Sequence, residues 1–126
     1  MTNKIKILIV EDDLFLRRLC EKKLNKEGFE VFLAEDGEEG IQQAKKNIPD
    51  LILLDIILPK IDGFDVLKTL KEDKSTNPIP VILLSNLGQK EDIDKGLALG
   101  AKDYLIKAHF SPQEIVDKIN EILNLI

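Results

Sequence analysis

A chain of 126 residues, 44% hydrophobic and 33% charged, has the size and composition of one globular domain with one hydrophobic core and a heavily solvated surface. Eighteen Lys and Arg against twenty-three Asp and Glu leave a net charge of -5 and a pI near 4.9, which argues against direct binding to a nucleic-acid backbone. No run approaches the ~20 apolar residues of a membrane span, and Met1-Thr2-Asn3-Lys4 lacks the cleavage site of a secretory signal, so a cytoplasmic protein is expected.

The chain opens with a short apolar run, Ile5 to Val10, interrupted only by Lys6, which suits a buried central strand. Asp13 to Glu27 has helical spacing, with Gly28 as its stop, and places Cys20 on a stripe with Leu16, Leu19 and Leu24. A lone cysteine there packs as a small hydrophobe. Phe29 to Ala34, with Glu30 inside it, reads as an edge strand. Asp36 and Glu39 are spaced as a helix cap, opening a helix to about Asn47, and Pro49-Asp50 breaks it.

Leu51 to Leu54 is a wholly apolar strand ending on Asp55. After a loop with Pro59, Asp62 and Gly63, a helix is predicted from about Phe64 to Asp73, where Lys68, Lys71, Glu72, Asp73 and Lys74 read as a solvated face. Asn77-Pro78 precedes a fourth strand, Ile79 to Leu84, ending on Ser85. A helix from about Lys90 to Leu99 stops at Gly100, and the strand Lys102 to Ile106 ends on Lys107. Ser111-Pro112-Gln113-Glu114 is a capping box with proline at the first helical position, followed by a buried stripe of Ile115, Ile119 and Ile122.

Five strands alternating with five helices imply a doubly wound α/β domain: parallel strands need crossover helices, which cover both faces of the sheet. Residues 1–126 read as this one domain, with no linker and no effector domain. Ligands of such sheets sit outside the carboxyl ends of the strands, at the switch in strand order. There the strands deliver Glu11-Asp12-Asp13, Asp55, Ser85 and Lys107. With the strand order 2-1-3-4-5, the acidic ends of strands one and three share a pocket.

Crowded carboxylates must either hold protons or share a cation. An all-oxygen donor set suits Mg²⁺, with Mn²⁺ as the alternative, and no His or Cys is placed to recruit zinc. Such an ion would ease the approach of a phosphoryl group to Asp55, a carboxylate nucleophile. Lys107 and the Ser85 hydroxyl would bind its oxygens. His109, the sole histidine, reads as a loop residue just past the site.

On these residues the sequence resembles the response-regulator receiver domains of two-component signalling, along essentially its whole length. The matching segments are Ile7-Leu8-Ile9-Val10-Glu11-Asp12-Asp13, Leu53-Leu54-Asp55-Ile56-Ile57-Leu58-Pro59, Asp62-Gly63, Leu84-Ser85 and Gly100-Ala101-Lys102-Asp103-Tyr104-Leu105-Ile106-Lys107. The resemblance implies a flavodoxin-like fold of strand order 2-1-3-4-5 and a phosphorylated Asp55. It implies Asp12 as a direct Mg²⁺ ligand, Glu11 as a ligand through water, and the Ile57 carbonyl as a third protein ligand. It also implies Ser85 as the hydroxyl that moves to the phosphate, Lys107 as its counter-charge, and Tyr104 as an aromatic switch. Asp13, one place beyond the acidic pair, is expected to cap a helix.

A histidine kinase or phosphotransfer protein would be the donor, and output would pass through the face of helix four, strand five and helix five. The protein would be a monomer or a weak dimer formed on phosphorylation, catalysing only its own phosphorylation and dephosphorylation. Two positions depart from the family pattern. Ala108 follows Lys107 where proline with a cis bond is usual, and Asn86 follows Ser85 where a small residue is commoner. A cis bond before alanine would cost ~2.5–4 kcal/mol.

Two rivals remain from the residues alone. An aspartyl-phosphate phosphohydrolase would carry a second acid two residues after the nucleophile, where this chain has Ile57. A receiver-like interaction module that is never phosphorylated would have no need of the acidic, hydroxyl and lysine positions retained here. Ile57 and Leu87, two residues past Asp55 and Ser85, are placed to shield an acyl phosphate from water.

Overall fold

The computed structural model describes residues 4–125. The elements run β1 (Lys6–Val10), α1 (Leu14–Lys26), β2 (Glu30–Ala34), α2 (Gly37–Asn47), β3 (Leu51–Asp55), α3 (Gly63–Glu72), β4 (Val81–Ser85), α4 (Lys90–Ala98), β5 (Asp103–Ile106), a 3₁₀ turn (Lys107–His109) and α5 (Pro112–Leu123). All strand pairs are parallel and the order is β2-β1-β3-β4-β5, the doubly wound sheet expected. β2 lies at the edge.

Alternation along the strands explains two cores. Leu8, Val10, Ile52 and Leu54 face the side covered by α2 and α3, whereas Ile7, Ile9, Leu51 and Leu53 face the side of α1 and α5. Burying both faces removes most of the sheet's apolar surface from water, at about 25 cal/mol per Å². Cys20 is inside the second core, as its spacing implied.

The caps form as read. Asp13, Asp36 and Ser111 each accept a backbone N–H from the first turn of α1, α2 and α5, and Asp62, read from the sequence only as a loop residue, does the same for α3. Glu39 reaches back to the Glu35 N–H at 3.4 Å, one residue before the cap. Gly28 and Gly100 end their helices at φ of 94° and 107°.

Three expectations need correction. The fourth strand starts at Val81, because Ile79 closes a turn onto the Thr76 carbonyl and Pro80 has no N–H to give. Lys71 is not merely solvated: its ammonium donates to the carbonyls of Asn77 (3.0 Å) and Ile79 (2.9 Å), tying α3 to the start of β4. Of the α5 stripe, Ile115 and Ile119 are buried but Ile122 is only half-buried.

Among the described residues no peptide bond is cis, so Lys107-Ala108 is trans and the chain turns there through the 3₁₀ segment. No helix among the described residues is long and apolar enough to cross a membrane.

Candidate functional site

Hydrogen bonding between neighbouring strands fixes where the polar strand ends fall. Val10 pairs with Leu54, Asp55 with Leu84 and Ser85 with Ile106, so the residues that follow β1 and β5 open on the same edge as Asp55 and Ser85. An open depression of about 310 Å³ is lined there by Glu11, Asp12, Asp13, Asp55, Ile57, Ser85, Asn86 and Lys107. The loop after β3 is drawn over Asp55 by Gly63, whose N–H donates to the Ile56 carbonyl at 2.7 Å. A Cβ at Gly63 would lie 2.3 Å from the Asp55 carbonyl oxygen, so only glycine allows this approach.

Lys107 is central to the charge balance. Its Nζ donates to Asp55 Oδ2 at 2.8 Å and lies 2.7 Å from Glu11 Oε1. The latter is an ion pair without hydrogen-bond alignment, and Glu11 Oε1 has no hydrogen-bond partner although it is buried. Glu11 Oε2 accepts the Asp13 N–H (3.1 Å), and Asp55 Oδ1 accepts the Ile57 N–H (3.3 Å).

Glu11, Asp12 and Asp55 each offer one oxygen, all within 4.8 Å of one another. Glu11 and Asp55 are buried and Asp12 is exposed. Burial raises the Glu11 carboxyl above its ordinary value; Lys107 opposes this and Asp55 adds to it. Desolvation and then Glu11 raise Asp12. Burial lowers Lys107, but Asp55 and Glu11 outweigh it and leave the ammonium more firmly protonated than usual. Burial, followed by the charge of Glu11, pushes the Cys20 thiol up to about 11, which makes it an unreactive core residue.

The sequence-derived site residues therefore come together, with one exception. Tyr104 is not part of the depression. Its ring is buried in the core, and its hydroxyl donates to the Leu87 carbonyl at 2.5 Å. Leu87 also differs from expectation: its side chain packs against the core and does not line the depression, whereas Ile57, 60% exposed, does. Asn86 is exposed at the rim. His109 is exposed in the 3₁₀ turn.

Sequence reasoning missed Arg17, which is buried and donates to the Glu11 carbonyl. Its spacing was the available signal: it sits three before Cys20 and seven before Leu24, a charged residue on the buried stripe of α1.

Residues 7–120 match the family described as the response regulator receiver domain. Among curated relatives, the chain is 41% identical over 121 residues to the probable transcriptional regulator ycf27 of Cyanophora paradoxa, covering 96% of this chain and 49% of that one. It is 40% identical over 121 residues to the phosphate regulon transcriptional regulatory protein PhoB of Escherichia coli (strain K12), covering 96% and 52%. It thus spans about half the length of the curated relatives it matches.

Among solved structures, a putative response regulator from Chloroflexus aurantiacus J-10-fl superposes with a TM-score of 0.89 at 37% identity, covering 97% of this chain and 99% of that one. The chemotaxis response regulator CheY4 of Vibrio cholerae gives 0.88 at 28% identity, covering 95% and 99%. The strand order, the acidic depression and these likenesses agree, and the chain belongs to the response regulator receiver domains of two-component systems.

Proposed function

We propose that this receiver is a phosphorylation-dependent switch in which Asp55 accepts a phosphoryl group from a phosphohistidine on a kinase or phosphotransfer partner. The observation that carries the reading is the Asp55 carboxylate flanked by two further carboxylates within 4.8 Å and an ammonium at 2.8 Å. In the transfer, an Asp55 carboxylate oxygen forms the bond to phosphorus as the phosphorus–nitrogen bond to the donor imidazole breaks. Lys107 pairs with the phosphate oxygens, and the Ser85 hydroxyl turns to donate to one of them.

The donor set fits a hard divalent cation. It is all oxygen, with one carboxylate oxygen from each of Glu11, Asp12 and Asp55 within 4.8 Å of the others. Asp12 and Asp55 would hold Mg²⁺ directly, with Glu11 acting through water and the Ile57 carbonyl completing the protein ligands. When bound, the ion neutralises charge between the carboxylates and the incoming phosphoryl group. The chain's only catalysis, on this reading, is of its own phosphorylation and dephosphorylation.

Leu14 and Phe15, 54% and 78% exposed just past the acidic loop, support a protein donor, since apolar groups beside a site favour macromolecular contact. New phosphate contacts bias the packing of α4, β5 and α5, and a partner reads that face. Leu97, 45% exposed on α4, offers it an apolar contact. With a net charge of -5, the domain itself is poorly suited to touch DNA.

The test is incubation with acetyl phosphate and Mg²⁺ followed by intact-mass measurement. A gain of about 80 Da, one phosphoryl group, that is absent in Asp55→Asn supports the switch. Rapid multiple turnover of unrelated phosphomonoesters would instead favour a phosphohydrolase, and no adduct at all would favour an unphosphorylated interaction module.

A further inference from the structure

The chemistry of Asp55 makes no use of the buried charge on α1. Arg17 is 6% exposed. Its Nη2 pairs with Glu35 Oε1 at 3.2 Å, but that glutamate side chain is 68% exposed. A guanidinium withdrawn from water is ordinarily compensated by a well-buried carboxylate, and this one is not. Its shortest contact is to main chain: Nη1 donates to the Glu11 carbonyl at 2.8 Å and lies 3.4 Å from the Asp12 carbonyl.

Those two carbonyls belong to the residues whose carboxylates face Asp55. Mutual repulsion of the three carboxylates tends to open the loop that carries two of them. The other ties on that loop are the Glu11 N–H to the Ala34 carbonyl at 3.0 Å, the Asp13 N–H to Glu11 Oε2, the Lys107 ammonium 2.7 Å from Glu11 Oε1, and the Leu16 and Arg17 N–H groups on Asp13. None of them holds the Glu11 or Asp12 carbonyl. Arg17 supplies both a rigid tie and a fixed positive charge on the side of the loop away from solvent. Nη1 serves both carbonyls while Nη2 pairs with Glu35, a division between two fixed nitrogens that a single lysine ammonium does not reproduce.

We propose that Arg17 is a positioning residue for the divalent cation, holding the Glu11 and Asp12 carbonyls so that their carboxylates stay converged on Asp55. This rests on the metal-dependent receiver reading above. It assigns Arg17 no contact with the ion or the phosphate.

The experiment compares the wild type, Arg17→Lys and Arg17→Met by three measurements: Mg²⁺ titration calorimetry, metal-free thermal melts, and acetyl phosphate labelling over a range of Mg²⁺ concentrations. Residues behind a metal's ligands commonly change affinity by about 10–100-fold, so Arg17→Met is expected to bind Mg²⁺ at least tenfold more weakly. The half-saturating Mg²⁺ for labelling should rise by the same factor, while the limiting rate at saturating Mg²⁺ changes far less. Arg17→Lys should fall between the two.

Arg17→Met that melts lower yet binds Mg²⁺ as the wild type does would overturn the proposal, leaving Arg17 a merely structural residue. If Arg17→Met does not fold, Arg17→Lys decides the matter: wild-type affinity there overturns the proposal, and weakened affinity supports it. A wild-type chain that binds no Mg²⁺ would sink both this inference and the receiver reading beneath it.

Discussion

Ser85 and Tyr104 are joined through a single residue, Leu87: its N–H donates to Ser85 Oγ at 3.2 Å, and its carbonyl accepts the Tyr104 hydroxyl at 2.5 Å. Movement of the Ser85 hydroxyl toward a phosphate therefore disturbs the same backbone that Tyr104 holds. Tyr104→Phe leaves the Leu87 carbonyl without its donor, at a cost on the order of 1 kcal/mol. Urea denaturation should show that loss, and hydrogen exchange should quicken at residues 86–89. Unchanged exchange across that segment would mean that Tyr104 does not hold it.

Glu11 makes stability and metal binding depend on pH. Its folded carboxyl is raised above 4.5 chiefly by burial, so the folded chain keeps this proton to higher pH than the unfolded chain does. The stability it contributes is complete below about pH 4.5 and is lost as pH rises through the folded value. In metal-free buffer, the stability of Glu11→Gln relative to wild type should therefore increase from pH 5 to pH 7.5. Lys107 stays charged throughout this range, and its pull on the ionised Glu11 is already contained in that net upward shift. Because protons compete with the ion, Mg²⁺ should stabilise the wild type more at pH 7.5 than at pH 5. Urea melts with and without Mg²⁺ measure both, and a Mg²⁺ effect that ignores pH would count against this account.

Ile57 and Leu87, equivalent in spacing, have different surroundings and should fail differently. Ile57→Asn places a polar group at the rim of the depression and should shorten the life of the Asp55 phosphate roughly threefold, which is about 0.65 kcal/mol of barrier. Leu87→Glu puts a charge against the core and should lower stability by about 1–3 kcal/mol. Phosphate decay followed by intact mass, alongside denaturation, separates them. Equal decay in Ile57→Asn and wild type would remove Ile57 as a shield.

Ile48, the cap after α2, has a φ of 43°. A β-branched residue in this left-handed region is strained, and Pro49 follows it directly. Ile48 is 46% exposed, so replacement leaves no large cavity. Ile48→Gly should raise stability by about 1 kcal/mol, read as a higher urea midpoint with an unchanged slope. A lower midpoint would show that its side-chain contacts outweigh the strain.

Local chemistry is what made most of this protein legible from its residues. The caps at Asp13, Asp36 and Ser111 act within one turn of a helix, and an apolar strand ending on Asp55 or Ser85 is visible in five or six residues. Alternating strands and helices then force a parallel sheet, and a parallel sheet brings its strand ends to one edge. The site residues Glu11, Asp12, Asp55, Ser85 and Lys107 followed from that reasoning.

The tertiary structure alone decided what each side chain meets. Lys71 looked like a solvated charge because the carbonyls of Asn77 and Ile79 lie beyond its own helix. Leu87 and Ile57 share a spacing, yet only Ile57 lines the depression. Arg17 is paired with carbonyls five and six residues earlier and with Glu35 on the neighbouring loop. Periodicity assigns a residue to a face of its own element, but burial and hydrogen bonding depend on the surface packed against that face, which distant parts of the chain supply.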